Sequence, residues 1–190
     1  VADQGNGSVS PRIHRFDPVT QAYFGSFGAG IIGEAAGVEI DKDGTAWVAD
    51  GGDTTRLFNA YTGEYYGAIA HGSFSNQYGK IFGSTYWGNR PSGLLKINTS
   101  TFAITVVPNP VNANNFVAPI NSGEFFTGSN KSLVRINATT GAVVSTQTLG
   151  ITLDGFYSDA LVVPGTLGTN TSRMVVGRGS DGTNDLSVVN

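Results

Sequence analysis

The stretch VEIDKDGTAWVADGGDTTRLFNAYTGEYYGA, residues 38–68, decides the fold. It contains four short runs of strand-forming residues, each bounded by turn residues, at 38–40, 45–49, 56–59 and 64–68. The pattern predicts one four-stranded antiparallel unit. Gly44 and Gly63 lie in its first and last turns, where a positive φ is expected that a Cβ would resist. A unit this small cannot bury both of its faces alone, so it needs copies of itself.

The rest of the chain supplies these copies. An Asp or Asn closes each predicted third strand, and these residues are Asp17, Asn59, Asn98, Asn137 and Asn190. Their spacings, by subtraction of the residue numbers, are 42, 39, 39 and 53. A period near 40 residues with four strands and no helix is typical of a β-propeller blade.

We therefore predict an all-β, β-propeller-like array of about five four-stranded antiparallel blades within one domain, residues 1–190. The first blade is expected to lack its inner strand and the last its outer strand. The predicted blades are approximately residues 1–29, 36–70, 71–108, 113–150 and 155–190. In the fourth blade the predicted strands are 116–120, 124–128, 132–137 and 142–148, and in the fifth 160–163, 173–176 and 186–190.

Composition excludes several kinds of partner. Of the 190 residues, 27 are Gly, only 13% are charged, and the net charge is −3, which leaves no basic face for nucleic acid. No apolar run approaches the roughly 20 residues of a membrane-spanning helix. Cysteine is absent, so disulfides and thiolate-zinc sites are excluded. A composition rich in Gly, Asn and Thr with few Lys and Glu predicts an extracellular or cell-surface protein, and the missing initiating Met predicts either a processed N-terminus or a shortened chain.

Residues 37–50, GVEIDKDGTAWVAD, followed by RLF at 56–58, resemble the NHL-type and streptogramin-lyase-like propeller repeat. Residues 1–17 are similar to the same repeat, and the later blades resemble it only in their outer strands. The resemblance implies a blade, and propellers host lyases, hydrolases and interaction platforms alike. Streptogramin-lyase-like enzymes are expected to use a His and acids around a metal, and no His here matches such a position.

The densest group of acidic residues is the candidate metal site, formed by Asp41, Asp43, Asp50 and Asp53. Its opening is similar to the start of a calcium loop, which makes a divalent metal such as calcium the one cofactor suggested. The later oxygen ligands and the closing Glu are missing, and the alternative is a hairpin rich in Asp. No catalytic residue is assigned.

The remaining candidate sites are weaker. Five Asn-x-Ser/Thr sequences are candidate glycosylation sites in a host with that machinery, at Asn6, Asn98, Asn130, Asn137 and Asn170. For the two histidines, a structural or surface role is expected for His14 and a loop role for His71. A dense aromatic cluster is either blade core or an exposed surface for sugars or another subunit. It consists of Tyr61, Tyr65, Tyr66, Phe74, Tyr78, Phe82, Tyr86 and Trp87.

Three functions remain open. The first is a secreted or cell-surface non-catalytic protein that assembles with copies of itself, by strand completion into a filament or layer, or binds other surface proteins or glycans. The second is a lyase or hydrolase with an acid or metal site at the tunnel mouth. The third is a carbohydrate-binding adhesin that uses the aromatic cluster.

Overall fold

The computed structural model describes residues 1–51, 53–72, 79–90, 93–108, 117–121, 123–153, 160–163, 173–178 and 185–189. Within these ranges the chain forms strands and turns but no helix. The strands are β1 (Ala2–Asp3), β2 (Arg12–Phe16), β3 (Tyr23–Phe27), β4 (Ala35–Ile40), β5 (Thr45–Asp50), β6 (Thr54–Asn59), β7 (Tyr65–Ala70), β8 (Gly79–Phe82), β9 (Thr85–Arg90), β10 (Gly93–Asn98), β11 (Ile104–Val107), β12 (Ala118–Asn121), β13 (Glu124–Asn137), β14 (Val143–Leu153), β15 (Ala160–Val163), β16 (Arg173–Arg178) and β17 (Asp185–Val189).

The strands form five antiparallel sheets, each made of strands consecutive in the chain. The sheet orders are β1-β2-β3, β4-β5-β6-β7, β8-β9-β10-β11, β12-β13-β14 and β15-β16-β17. The inner strands lie side by side, because β4 contacts both β1 and β8, and β12 contacts both β8 and β15. This arrangement confirms the predicted array of propeller-like sheets, with three strands in the first and last.

A hydrophobic core fills the space between each pair of neighbouring sheets among the first four. Consecutive side chains of a strand point to opposite faces, so one strand serves two cores. On β5, Val48 packs toward the first sheet and Trp47 toward the third. On β9, Tyr86 packs toward the second sheet and stacks on Trp47 with ring centroids 5.4 Å apart, whereas Trp87 packs toward the fourth. This two-sided burial is why the unit needs neighbours.

One five-residue turn recurs after the third strand of each of the first four units, at 17–21, 59–63, 98–102 and 137–141. In each, the first residue's Oδ1 accepts the N–H groups two and three residues later, at 2.7–2.9 Å. The fifth residue has a positive φ in every copy, namely Gln21 (59°), Gly63 (77°), Phe102 (58°) and Gly141 (74°). Asn190, predicted as a fifth such position, lies outside the described residues.

The fourth sheet differs from the prediction of four strands. Residues 124–128 and 132–137 belong to one long strand, β13, which pairs with β12 at its start and with β14 from Asn130 onward. The segment stays extended because β14 runs to Leu153 and pairs there with Asn130. Elsewhere the boundaries shift by a few residues: β4 begins at Ala35, three residues before the predicted strand at 38–40. Residues 164–172, which lie within the longest spacing of 53, are outside the described residues.

Candidate interaction surface

The four aspartates predicted as a metal site each make hydrogen bonds or ion pairs with nearby backbone and side-chain groups. Asp41 Oδ1 accepts the N–H groups of Asp43 and Thr45, each at 2.9 Å, which closes the β4–β5 hairpin. Its Oδ2 accepts Trp47 Nε1–H, also at 2.9 Å. Asp43 is exposed and pairs with the neighbouring Lys42. The alternative interpretation of this stretch, a hairpin rich in Asp, describes its geometry.

Asp50 ties the end of β5 to the connector that precedes β4. It is 7% exposed, and its Oδ1 accepts the N–H groups of Gly33 at 2.9 Å and Glu34 at 2.6 Å. Its Oδ2 accepts a hydrogen bond from Arg56 Nε. Burial lowers the pKa of the Arg56 guanidinium, but the hydrogen bond to Asp50 and the negative charge of Asp50 raise this pKa by more.

The structure does not bring these aspartates together into a set of ligands. Asp53 accepts a hydrogen bond from Thr54 Oγ1 at 3.0 Å. Among the described residues, no group of three or more His, Asp or Glu side chains could hold a metal ion.

His14 belongs to a pair that corresponds to Asp50 and Arg56. Its Nε2 lies 3.0 Å from Asp3 Oδ2. In both pairs the Asp is the last residue of its strand, and its partner lies three residues before the Asp or Asn that begins the recurring turn. The hydrogen bond with His14, together with that from Gly5 N–H, lowers the pKa of Asp3. His14 thus has a structural contact, as expected from its place on a third strand.

His71 follows β7 directly, in the predicted connector, but it is buried. Its side chain is 8% exposed and its Nε2 lies 3.2 Å from Thr55 Oγ1 on β6. The contact joins the connector to the interior of the second sheet.

Glu39 and Glu124 are each paired with a basic side chain. Glu39 accepts a hydrogen bond from Lys80 Nζ at 2.9 Å, which joins the inner strands β4 and β8. Glu124 accepts hydrogen bonds from Arg135 within the fourth sheet. Each carboxylate is therefore held by a cation: Glu39 by a residue of the neighbouring sheet, and Glu124 by a residue of its own strand, β13.

The candidate glycosylation sites lie in different surroundings. Asn6 is exposed in the β1–β2 loop, where its Oδ1 accepts the N–H groups of Ser8 and Val9. Asn98 and Asn137 are half-buried first residues of the recurring turn. Asn130 lies in β13, and Asn170 lies outside the described residues.

The aromatic cluster is divided between core and surface. Tyr86 and Trp87 are buried, whereas Tyr61, Tyr65 and Tyr66 are exposed. Phe82 on β8 is also exposed, and residues 74 and 78 lie outside the described ranges. The exposed tyrosines are on β7 and in the turn before it.

The outermost strands of the first four sheets share an unusual surface. These strands are β3, β7, β11 and β14, and their sequences YFGSF, YYGAIA, ITVV and VVSTQTLGITL contain no charged residue and no proline. Each strand also exposes two large apolar side chains, with 40–55% of each accessible: Tyr23, Phe24, Tyr65, Tyr66, Ile104, Val106, Val143 and Val144. We call these four strands the outer strands.

The sequence predicted missing strands in the first and last blades, and the outer strands were not predicted as a surface. The signal was readable, because the predicted fourth strands of these units hold a single charged residue, Glu64. In the structure β7 begins at Tyr65, so Glu64 stays in the turn and leaves the strand uncharged.

A cleft of about 400 Å³ opens between the first and second sheets. Its walls and rim are formed by Val1, Ile13, His14, Arg15, Phe16, Pro18, Phe24, Phe27, Val38, Ile40, Ala46, Ala60 and Tyr61. We call it the inter-sheet cleft.

Solved structures with the same arrangement of sheets show which fold this is. Hydrazine synthase of Kuenenia stuttgartiensis is similar over 94% of this chain, with a TM-score of 0.64 and 12% sequence identity. The Cps50 (Swd1) β-propeller domain of Myceliophteria thermophila is similar over 90% of this chain, with a TM-score of 0.63 and 11% identity. BamB of Moraxella catarrhalis is similar as well (0.54, 13%, 89%). The fold is that of a β-propeller.

This chain spans 59%, 57% and 55% of the length of those three proteins, in the same order. At these identities the likeness shows the fold alone. No protein-family model and no curated protein matches the sequence. The part of the chain that the structure describes also contains no helix long and apolar enough to cross a membrane.

Proposed function

We propose that this propeller is a non-catalytic scaffold, extracellular or on the cell surface, that binds other proteins and above all copies of itself through its outer strands. We also propose that its repeat is of the NHL type, on the strength of residues 37–50. The single observation that supports the scaffold role is the set of uncharged outer strands with exposed apolar side chains.

An unpaired edge strand favours pairing with another strand. It directs every second N–H and C=O group outward, and natural proteins commonly protect such edges with charged residues or proline. The outer strands lack both, and their exposed tyrosine, isoleucine and valine side chains would lose contact with water on pairing. Strand addition satisfies the backbone groups and buries the side chains in one contact.

Copies of this chain are the occupant that best suits these edges. The outer strands carry no charge that would select a partner of opposite sign, and every copy offers the same uncharged strands. Several such edges on one molecule make the assembly multivalent. A contact between two different edges extends a filament or layer on repetition when its rotation does not close into a ring.

The test is the assembly state of the purified chain, measured by light scattering and electron microscopy over a range of concentrations. A triple variant introduces carboxylates on three outer strands: Ala68→Glu, Ile104→Glu and Val144→Glu. A control variant introduces the same charge at exposed positions in loops and turns: Ser10→Glu, Val19→Glu and Ser100→Glu. All six positions are exposed, so both variants are expected to fold.

We expect the unmodified chain and the control to form large assemblies, and the outer-strand variant to remain monomeric. Like charges on paired strands repel, and an ionised carboxylate is costly to bury. A chain that stays monomeric at every concentration would contradict the proposal. Equal loss of assembly in both triple variants would show that net charge, and not strand pairing, governs association.

A further inference from the structure

We propose that the inter-sheet cleft binds a small ligand that combines an apolar body with a single carboxylate. Two of its lining residues, Phe24 and Phe27, lie on the outer strand β3, and its occupant follows from the shape, the lining and the charge of the cleft. Its volume of about 400 Å³ lies within the roughly 300–1,000 Å³ typical of small-molecule sites.

The lining of the cleft is mostly apolar. Ile13, Phe27 and Ala46 belong to the buried core between the first two sheets and form its floor. At the rim, Phe16 and Ile40 are exposed by 46% and 60%. An aromatic ring or short aliphatic chain would remove these rim side chains from water, which is favourable by about 25 cal/mol per Å².

The polar groups of the cleft favour an anion. Its lining contains two basic side chains, His14 and Arg15, and neither Asp nor Glu. His14 Nε2 is already held by Asp3, which leaves Arg15 as the anchor for a ligand.

Arg15 is fixed in place with part of its hydrogen-bonding capacity unused. Its Nη1 donates to the carbonyl oxygen of Tyr61, and its guanidinium carbon lies 5.7 Å and 5.8 Å from the ring centroids of Phe24 and Phe27. Its Nε is buried and has no hydrogen-bond partner among the described residues. The Nε is too buried to reach a ligand, but the guanidinium keeps its second terminal nitrogen, Nη2, and its positive charge, and a carboxylate supplies both an acceptor and the opposite charge.

The third sheet shows that bridging two sheets does not by itself require an arginine. Lys96 lies two residues before Asn98, as Arg15 lies two residues before Asp17. Its Nζ donates at 3.2 Å to the carbonyl oxygen of Ala138, in the turn of the next sheet. A lysine therefore suffices for the bridge, and the planar guanidinium of Arg15, whose Nη2 makes no hydrogen bond to the described residues, is what the ligand would use.

The probe is 3-phenylpropionate, compared with its neutral amide, 3-phenylpropionamide. Binding to the full chain is measured by titration calorimetry at a concentration where the chain, or the outer-strand variant, is monomeric. The result is then independent of assembly. We expect the acid to bind about tenfold more tightly than the amide, as a charge-assisted hydrogen bond predicts.

Two variants locate the site. Arg15→Lys keeps a cation that bridges the sheets, and we expect it to weaken binding of the acid while leaving that of the amide unchanged. Ile40→Glu places a carboxylate on the exposed rim, and we expect it to weaken binding of the acid about tenfold. Val19→Glu is the control, because Val19 is 88% exposed and lies outside the cleft lining.

Three results would overturn the proposal. One is the absence of binding by the acid at millimolar concentration. Another is equal affinity for the acid and the amide, which would mean that no anion anchor exists. The third is equal loss of affinity in Ile40→Glu and Val19→Glu, which would place binding outside the cleft.

Discussion

Replacing Gly63 by alanine tests how closely the second sheet packs on the first. Gly63 ends the recurring turn of the second sheet with φ +77°. A Cβ at this position would lie 2.6 Å from Cβ and 3.2 Å from Cγ of Phe27, which is 8% exposed in the core between the two sheets. The substitution therefore combines backbone strain with a steric clash.

The two contributions can be estimated separately. A left-handed conformation costs an L-residue about 1–2 kcal/mol, offset by about 0.4–1 kcal/mol because alanine is less flexible than glycine in the unfolded chain. Overpacking of a core adds about 1–3 kcal/mol. Together these terms predict a loss of about 2–4 kcal/mol, and a melting temperature lower by about 4–16 °C for a chain of this size.

Gly30→Ala is the matched control for the strain alone. Gly30 has the same φ of +77°, but an added Cβ would meet nothing within 4 Å. We expect this variant to lose only about 1 kcal/mol. Gln21→Gly should have the opposite sign, because Gln21 holds φ 59° at the same turn position and glycine relieves up to about 1 kcal/mol of strain.

The assay is thermal and urea unfolding followed by circular dichroism, with all variants measured at one protein concentration. If Gly63→Ala loses no more stability than Gly30→Ala, the turn does not approach Phe27 as described. The packing of the first two sheets would then have to be revised.

Two further predictions concern aspartates that hold turns. Hydrogen bonds from the N–H groups of Thr20 and then Val19 lower the pKa of Asp17 below 3.8, so its stabilisation is present at neutral pH and is lost as pH falls through the lowered value. Melting temperatures from pH 7 to pH 2 should therefore fall less for Asp17→Asn, and parallel curves would contradict this. Asp41→Ala removes the acceptor of Trp47 Nε1–H and the one oxygen that accepts two N–H groups in the turn, and should cost about 2–4 kcal/mol with a change in tryptophan fluorescence. Asp43→Ala is its control and should change stability by about 0.5 kcal/mol at most, and equal losses would refute the role of Asp41.

The sequence alone determined the repeat, the recurring turns and most strands. These features are local: the Oδ1 of Asn59 bonds to backbone only two and three residues away, and Gly63 takes its positive φ within the same turn. The alternation on β5 is local as well. Because two-sided burial demands neighbouring sheets, a period near 40 residues was enough to predict a propeller.

Only the tertiary structure decided what the acidic residues do and where the surfaces lie. From the sequence, Asp41 and Asp50 were candidate ligands of one metal, but Asp50 bonds to Gly33, 17 residues away, and Asp41 to a core tryptophan. The inter-sheet cleft likewise joins Arg15 to Tyr61, 46 residues apart. Spacing along the chain determines which residues can form a turn, whereas the packing of one sheet on the next determines which side chains meet across it.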